Sequence, residues 1–365
     1  FRVSSVNLYL KRLISFLFLI VATQVVADDS LRVVAIGDAK PEKTNINIQV
    51  FELKKKLRKN ELEIINILLN DFRFYKQFLH VKLIYTEKIN LFLGQSVFKN
   101  NDYLIKVLFN RKASEKVMIL SLFSKRGTEI YKTELNYKDK INRRSIHKIA
   151  FDLYEKITNK KSIFLSEIVF VSDIKSNKKK KSHIKELYIM DFDGGNVRRL
   201  TFHKGIVISP AISNNRKKII YSLIKSNKKN KRNIDLYIYD LESNKSFLVS
   251  KHSGINSGAV FLPGDKEIAL TLSFKGNAEI YIMNLENKKL KRLTHHWAPD
   301  VDPSISSDGK MLTFLSGRPG RPMIYSMDLS SEKKKLKRIS YVGQFNATPR
   351  FSPNGTQIVF SSWLD

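Results

Sequence analysis

An N-terminal α/β domain followed by an all-β propeller is the architecture this sequence predicts, on three observations. A short phrase recurs four times in the C-terminal half: LYIMD (187–191), LYIYD (236–240), IYIMN (280–284) and IYSMD (324–328), with starts 49, 44 and 44 residues apart. A period of roughly 40–50 residues made of short alternating strands marks propeller blades, because one blade cannot cover its own apolar faces and must stack on neighbours. Each phrase also has an apolar strand before it and a polar strand after it. Residues ahead of about 162 lack this period and mix helical and strand patterns. The expected division is a leader at 1–27, an α/β domain at 28–161 and the propeller at 162–365.

The leader is read from charge and hydropathy. Lys11 and Arg12 precede an apolar run over 13–22, broken only by Ser15, and Val25, Val26 and Ala27 then stand before Asp28. A positive flank, about ten apolar residues and a small-residue site make a secretory signal peptide, cleaved after Ala27. A membrane anchor would need roughly twenty apolar residues, and Thr23 and Gln24 interrupt this run. Export to the periplasm is therefore expected. The chain starts at Phe1, so the native N-terminus is expected upstream. With no cysteine, the exported protein must fold without disulfides.

In the α/β domain, LRVVAI (31–36) and NIQVFEL (47–53) read as strands. Between about 57 and 79, Leu62, Ile65, Leu69, Phe72 and Phe78 fall at helical spacing. Segments 103–110, 116–123 and 128–135 alternate as a meander, with turns at 111–115 and 125–127. A second helix is predicted over 143–158, with Ile146, Ile149, Ala150, Leu153 and Ile157 on one stripe and Asn142 as N-cap.

From residue 167 each unit is an inner strand, a tight turn, an apolar strand, a longer loop, the recurring phrase, a second turn and an outer strand. The apolar strands are IVFVSD (168–173), IIYSLI (219–224), IALTLS (268–273), LTFLSG (312–317) and IVFSSW (358–363). Asn214 with Asn215, Gly264 with Asp265, Asp308 with Gly309 and Asn354 with Gly355 supply hairpin turns that need positive φ. Outer strands end in RLT (199–201, 292–294), FLVS (247–250) or RIS (338–340). Inner strands are expected at 207–213, 259–261, 304–306 and 350–352. The first unit begins at its second strand, so its inner strand is expected from the far C-terminus, closing the ring. About four blades plus one strand are visible before the chain stops.

Strand direction alternates within a blade, so the tight turns gather on one rim. The longer loops and the blade-to-blade connections gather on the other. That second rim carries lysine runs at 178–181 and 228–232, Lys275, Arg318 and Arg321, and the connections 251–258, 295–303 and 341–349. Loops on a rigid scaffold are where binding resides, so this rim is the expected partner face.

The net charge of +31 would suit nucleic acid or an anionic surface. The joint enrichment in Lys, Asn, Ile and Phe instead reads as AT-rich coding drift, and an exported protein does not meet nucleic acid. Serine-peptidase chemistry needs G-x-S-x-G. The nearest approach, GINSG (254–258), has the wrong spacing. The seven histidines show no H-E-x-x-H, and His295 with His296 reads as a surface loop. Asp191 and Asp193 with Gly194 and Gly195 mimic half a calcium loop without its bidentate ligand, and read as a turn. Catalytic, cofactor-binding and metal residues are all assigned as none.

The segment ELYIMDFDGGNVRRLT (186–201), the Ser209-Pro210 pair that follows, LRVVAIGDAKPEKTNINIQVFE (31–52) and RRSIHKIAFDLYEKITNKKSIFLSEIVFVSD (143–173) resemble the TolB family of periplasmic β-propeller proteins. The resemblance covers nearly all of the chain after the leader. It implies a six-bladed ring, of which on the order of 80 residues at this period are missing, and a monomeric, non-enzymatic role. It implies binding of the peptidoglycan-associated lipoprotein Pal at Ile255, Asn256, Gly258, Val301 and Asp302, with Ile255 and Val301 departing from the commoner family residues. It also implies contact between TolA and the segment at 28–38, including Asp28, Asp29, Leu31, Arg32, Val33 and Val34. The protein would be peripheral to the outer membrane through its partner, supporting membrane integrity and invagination at division. The alternative is the propeller of a secreted, prolyl-oligopeptidase-like serine peptidase whose catalytic domain lies beyond this sequence.

Overall fold

Alternating apolar residues in TNINIQVF make β1 (Thr44–Phe51), an interior strand of a five-stranded sheet. The computed structural model describes residues 43–51, 56–86, 101–111, 116–137, 141–174, 184–226, 232–332 and 335–363. The leader, the strand at 31–36, the segment holding Asp28, Asp29, Leu31, Arg32, Val33 and Val34, and the lysine run at 178–181 lie outside those residues, as does 228–231 of the second run.

The sheet order is β2-β1-β3-β4-β5. β1 leads through α1 (Lys59–Phe74) to β2 (Leu79–Thr86), which pairs parallel with it, as a helical crossover requires. β3 (Tyr103–Arg111) also runs parallel to β1, and β4 (Lys116–Ser124) and β5 (Glu129–Asn136) complete the meander. α2 (Arg143–Thr158) ends at Asn159 in the left-handed conformation, a common helix stop. Ile46 and Ile48 of β1, Ile64 and Phe72 of α1, and Ile149 and Leu153 of α2 share one core.

Three expectations change here. Helix α1 stops at Phe74, short of the expected 79, and Leu79–Thr86 is a strand that the sequence reading left unassigned. Leu62 and Phe78 are exposed, while Ile64, Ile67 and Leu68 are buried in their stead. Asn142 sits at the N-cap of α2 without a side-chain cap bond. The start of α1 is instead held by Glu61, which accepts the Arg58 amide at 2.7 Å. This fully buried carboxylate also takes Arg111 Nη2 at 2.6 Å and the Tyr137 hydroxyl at 2.7 Å. Burial pushes Glu61 up, but those bonds outweigh it and hold its pKa below the usual value.

The second half folds into successive small antiparallel sheets. The first is β6 (Glu167–Ser172), β7 (Glu186–Asp191) and β8 (Arg198–Arg199). The next is β9 (Ile206–Ile212), β10 (Lys218–Ser226), β11 (Arg232–Asp240) and β12 (Lys245–Ser250). The third is β13 (Asn256–Phe261), β14 (Glu267–Leu272), β15 (Glu279–Asn284) and β16 (Leu290–Arg292). The fourth is β17 (Asp300–Ile305), β18 (Met311–Ser316), β19 (Met323–Asp328) and β20 (Leu336–Arg338). β21 (Phe345–Phe351) pairs with β22 (Ile358–Trp363), so the last sheet holds two strands.

Apolar cores lie between sheets, as blade stacking demands. Leu187 and Ile189 of the first blade pack with Val207 and Tyr221 of the second. Ile220 and Leu236 pack with Phe261 and Leu270, and Ile280 and Leu293 with Leu312 and Phe314. The tight turns are tied across blades: Asn214 and Asn215 donate their backbone amides to the Asp265 carboxylate at 2.8 and 2.9 Å. In that first hairpin the positive φ falls on Arg216, one residue past the predicted pair.

Candidate functional site

Every described inner strand breaks register with its neighbour at one bulge, and a left-handed residue sits there: Ser209, Gly258, Asp302 and Thr348, with φ of 50°, 61°, 57° and 51°. A bulge bends the strand and re-aims its side chains. Pro210, Pro303 and Pro349 follow three of the four, where the ladder needs no donor.

Neighbouring bulges touch. A side chain on Gly258 would put its Cβ 3.2 Å from Asp302 Cα, so this position needs glycine for its space as well as for its φ. The Asp302 amide donates to Thr271 Oγ1 at 3.2 Å, and Asp302 Oδ1 accepts from Arg350 at 3.1 Å. Gly258, Asp302 and Arg350 thus link three consecutive blades.

Ile255 is half-buried and donates its amide to Ser273 Oγ at 2.8 Å. Asn256 is fully buried and internally satisfied. Its amide nitrogen donates to the carbonyls of Ile234 (2.8 Å) and His252 (2.7 Å). Its oxygen accepts from Ser250 Oγ (2.6 Å) and the His252 amide (3.0 Å). Val301 is half-buried and pairs with Leu315 in the ladder.

Asn256, Gly258, Val301 and Asp302 therefore lie within inner strands, where the sequence reading had blade connections. The strands begin three to five residues earlier than their hydropathy indicates because a buried polar group stands at or next to the start of each: Asn256, Asp300 and Asn346.

Above these residues the rim closes through further buried polar contacts. Glu279 accepts Arg292 at 3.0 Å and the His296 amide at 2.7 Å, and Thr294 bonds its other oxygen. Glu186 repeats the pattern with Arg199 (2.9 Å), Thr201 (2.6 Å) and the Lys204 amide (2.8 Å). Burial raises the Glu186 carboxyl, yet the bonds from Thr201, Lys204 and His203 leave it below its ordinary pKa. Burial pushes Asp300 up despite its pair with Arg318 at 2.6 Å. Asn277, from the longer loop, donates to the carbonyls of His296 and Trp297 at 2.9 and 3.0 Å, joining loop and connection on one rim.

The sequence reading missed what this frame presents. Phe202, Trp297, Tyr341 and Val342 are 70, 79, 64 and 72 % exposed, each within three residues of an RLT-type outer-strand end. Their recurrence after RLT was the available signal, but hydropathy cannot separate an exposed aromatic from a core one.

The family described as PD40, the TolB beta propeller domain, matches residues 154–363. The chain belongs to the TolB β-propeller family. Its curated relatives include the Tol-Pal system protein TolB of Francisella tularensis subsp. mediasiatica (strain FSC147), 29 % identical over 268 residues, covering 71 % of this chain and 60 % of the relative. That of Francisella tularensis subsp. tularensis (strain FSC 198) is also 29 % identical, with 71 % and 59 % covered. The chain thus spans about 60 % of the length of these curated TolB relatives. Among solved structures, a crystal structure of TolB from Acinetobacter baumannii aligns with a TM-score of 0.67 at 22 % identity, over 88 % of this chain and 77 % of that one, which supports the fold. The relatives carry the name of a Tol-Pal system component, and the chain is TolB-like in sequence and fold.

Proposed function

We propose that this TolB-family chain is a non-enzymatic periplasmic scaffold of the Tol-Pal system. Its propeller (162–365) holds Pal at the rim around Ile255, Asn256, Gly258, Val301 and Asp302. The segment carrying Asp28, Asp29, Leu31, Arg32, Val33 and Val34, at the start of the α/β domain (28–161), engages TolA. Through these partners it supports outer-membrane integrity and constriction.

The observation that carries the reading is the division of labour at the rim. Buried carboxylates and amides spend their bonds inward on the loops, while Trp297 and Phe202 stand outward. A pre-ordered frame lowers the entropy lost on binding, and exposed aromatics are the residue type that dominates hot spots.

Calorimetric titration of the protein lacking residues 1–27 with the soluble domain of Pal tests this. Saturable binding that Trp297→Ala weakens about ten-fold or more is expected. Binding absent at about 100 μM, or indifferent to Trp297→Ala, refutes the rim assignment. Deleting 28–38 is expected to abolish capture by TolA while leaving the Pal titration unchanged.

A further inference from the structure

Away from the rim, helix α2 meets the turn between β7 and β8, and one side chain there is left without its partner. His147 is 2 % exposed. Its Nδ1 lies 2.7 Å from Asp71 Oδ2 on α1, and its Nε2 has no hydrogen-bond partner among the described residues. That nitrogen faces Asp191 Oδ2 at 3.8 Å and Asp193 Oδ1 at 3.9 Å. Asp191 Oδ2, itself buried, also has no hydrogen-bond partner among the described residues.

The only cation paired to this group among the described residues is Arg143, which bonds Asp193 and lies 3.6 Å from Asp191. Three carboxylates against one guanidinium leave a formal excess of two negative charges. A groove of about 540 Å³, lined by Lys59, Leu62, Asn66, Asn70, Arg143 and Asp193, opens the cluster to solvent.

We propose that His147, Asp191 and Asp193 form a divalent transition-metal site of the zinc class, with Asp71 holding His147 from behind. The donors suit the ion. Imidazole with carboxylates is a zinc and nickel ligand set, whereas calcium and magnesium take oxygen alone. A carboxylate on the far nitrogen of a ligating histidine fixes its tautomer and raises its basicity. Here Asp71 keeps the proton on Nδ1 and leaves the Nε2 lone pair facing the two aspartates.

Tetrahedral zinc, with bonds of about 2.0–2.1 Å, sets its ligand atoms roughly 3.3 Å apart. The observed 3.8 and 3.9 Å separations from Nε2 must each shorten by about half an ångström, and Asp191 at the end of β7 and Asp193 in the turn after it must draw together as the ion enters. The fourth position faces the groove and takes water. Arg143 is the competitor and must turn toward the groove when the ion enters. The sequence DFDGG (191–195) supplies half a metal loop, and α2 supplies the ligand missing from local spacing. An ion there rivets α2 to the first blade.

Zinc titration of the full chain, by calorimetry and by competition with a chromophoric chelator, decides this. One equivalent is expected to bind in the micromolar range and raise the melting temperature. Asp193→Asn, at a partly exposed turn position, is expected to weaken binding at least ten-fold. Arg143→Gln, which removes the competing cation, is expected to strengthen it. No saturable binding below about 1 mM overturns the proposal. So does binding that survives Asp193→Asn and is lost in His295→Gln with His296→Gln, which would place the ion on the rim.

Discussion

Replacing Asn256 with alanine separates a load-carrying strand end from a partner-facing loop residue. The side chain makes four hydrogen bonds inside the protein, to Ile234, Ser250 and both backbone groups of His252. Each is worth about 0.5–1.5 kcal/mol net. The His252 groups belong to an exposed residue and regain water once the amide is gone, so they count at the low end. Ser250 is buried and counts at the high end. The sum is about 3 kcal/mol. At roughly 2–4 °C per kcal/mol for chains of a couple of hundred residues, with the low end fitting a longer unit, the melting temperature falls by about 6 °C. Thermal melts followed by circular dichroism measure it, and amide exchange at His252 locates it, since that amide loses its acceptor. Asn256→Asp keeps the acceptor but sets a carboxylate against two carbonyls, and is expected to be no better than alanine. A melt within about 1 °C of the parent would show that the connection is not held by this amide.

Two further outcomes follow from the same geometry. Gly258→Val places a β-branched residue at φ 61° and a Cβ against Asp302, for a loss of at least about 1–2 kcal/mol in urea titration. A wild-type midpoint would refute the tight approach of these two bulges. Burial lowers the pKa of His203, whose Nε2 meets the Tyr221 hydroxyl at 2.7 Å. The folded protein thus prefers the neutral ring. The unfolded chain gains the proton first as pH falls below about 6.5, so stability drops through that window. His203→Gln is expected to flatten the slope of melting temperature against pH between about 6.5 and 5, and an unchanged slope would remove His203 as its source.

The parts of the fold legible in the sequence are those fixed by local period. Helix α2 was bounded at the observed residues because its apolar stripe is a single face, Ile146 to Ile157, with charged residues elsewhere. Helix α1 misled because Leu62, Ile64, Ile65, Ile67, Leu68 and Leu69 surround most of its circumference. Period alone could not then say which face met the sheet. Strand β2 does alternate, with Leu79, Val81 and Leu83 toward the core, but it follows α1 after one short turn, and the helix reading ran on to its first residue and left the rest unassigned. The candidate residues were legible as neighbours of the inner strands and illegible as members of them. Ile255, Asn256, Gly258, Val301 and Asp302 do line successive strand entrances, yet hydropathy reads a buried Asn256 or Asp300 as loop. What buries them is a set of partners up to 22 residues away, and spacing rules carry no trace of those.

The blades vary in how firmly each connection is held, and the residue just before the recurring phrase decides it. In the first and third blades that residue is Glu186 or Glu279, and each collects an arginine, a threonine hydroxyl and a backbone amide from the connection that follows. Bonds to a buried carboxylate are charge-assisted and roughly twice as strong as neutral ones. In the fourth blade the same place is Met323. There Ser340 and Asn346 reach the thioether sulfur at 3.4 and 3.0 Å, a weak acceptor. Arg338 pairs with no carboxylate among the described residues and keeps the contacts that Arg199 also makes, to the carbonyl two residues on and to an exposed ring, here Ser340 and Tyr341. The rim is therefore stiff where Phe202 and Trp297 stand and looser where Tyr341 and Val342 stand. A partner bound at this rim as proposed would gain pre-ordered anchors from the first and third blades and would have to order the fourth for itself.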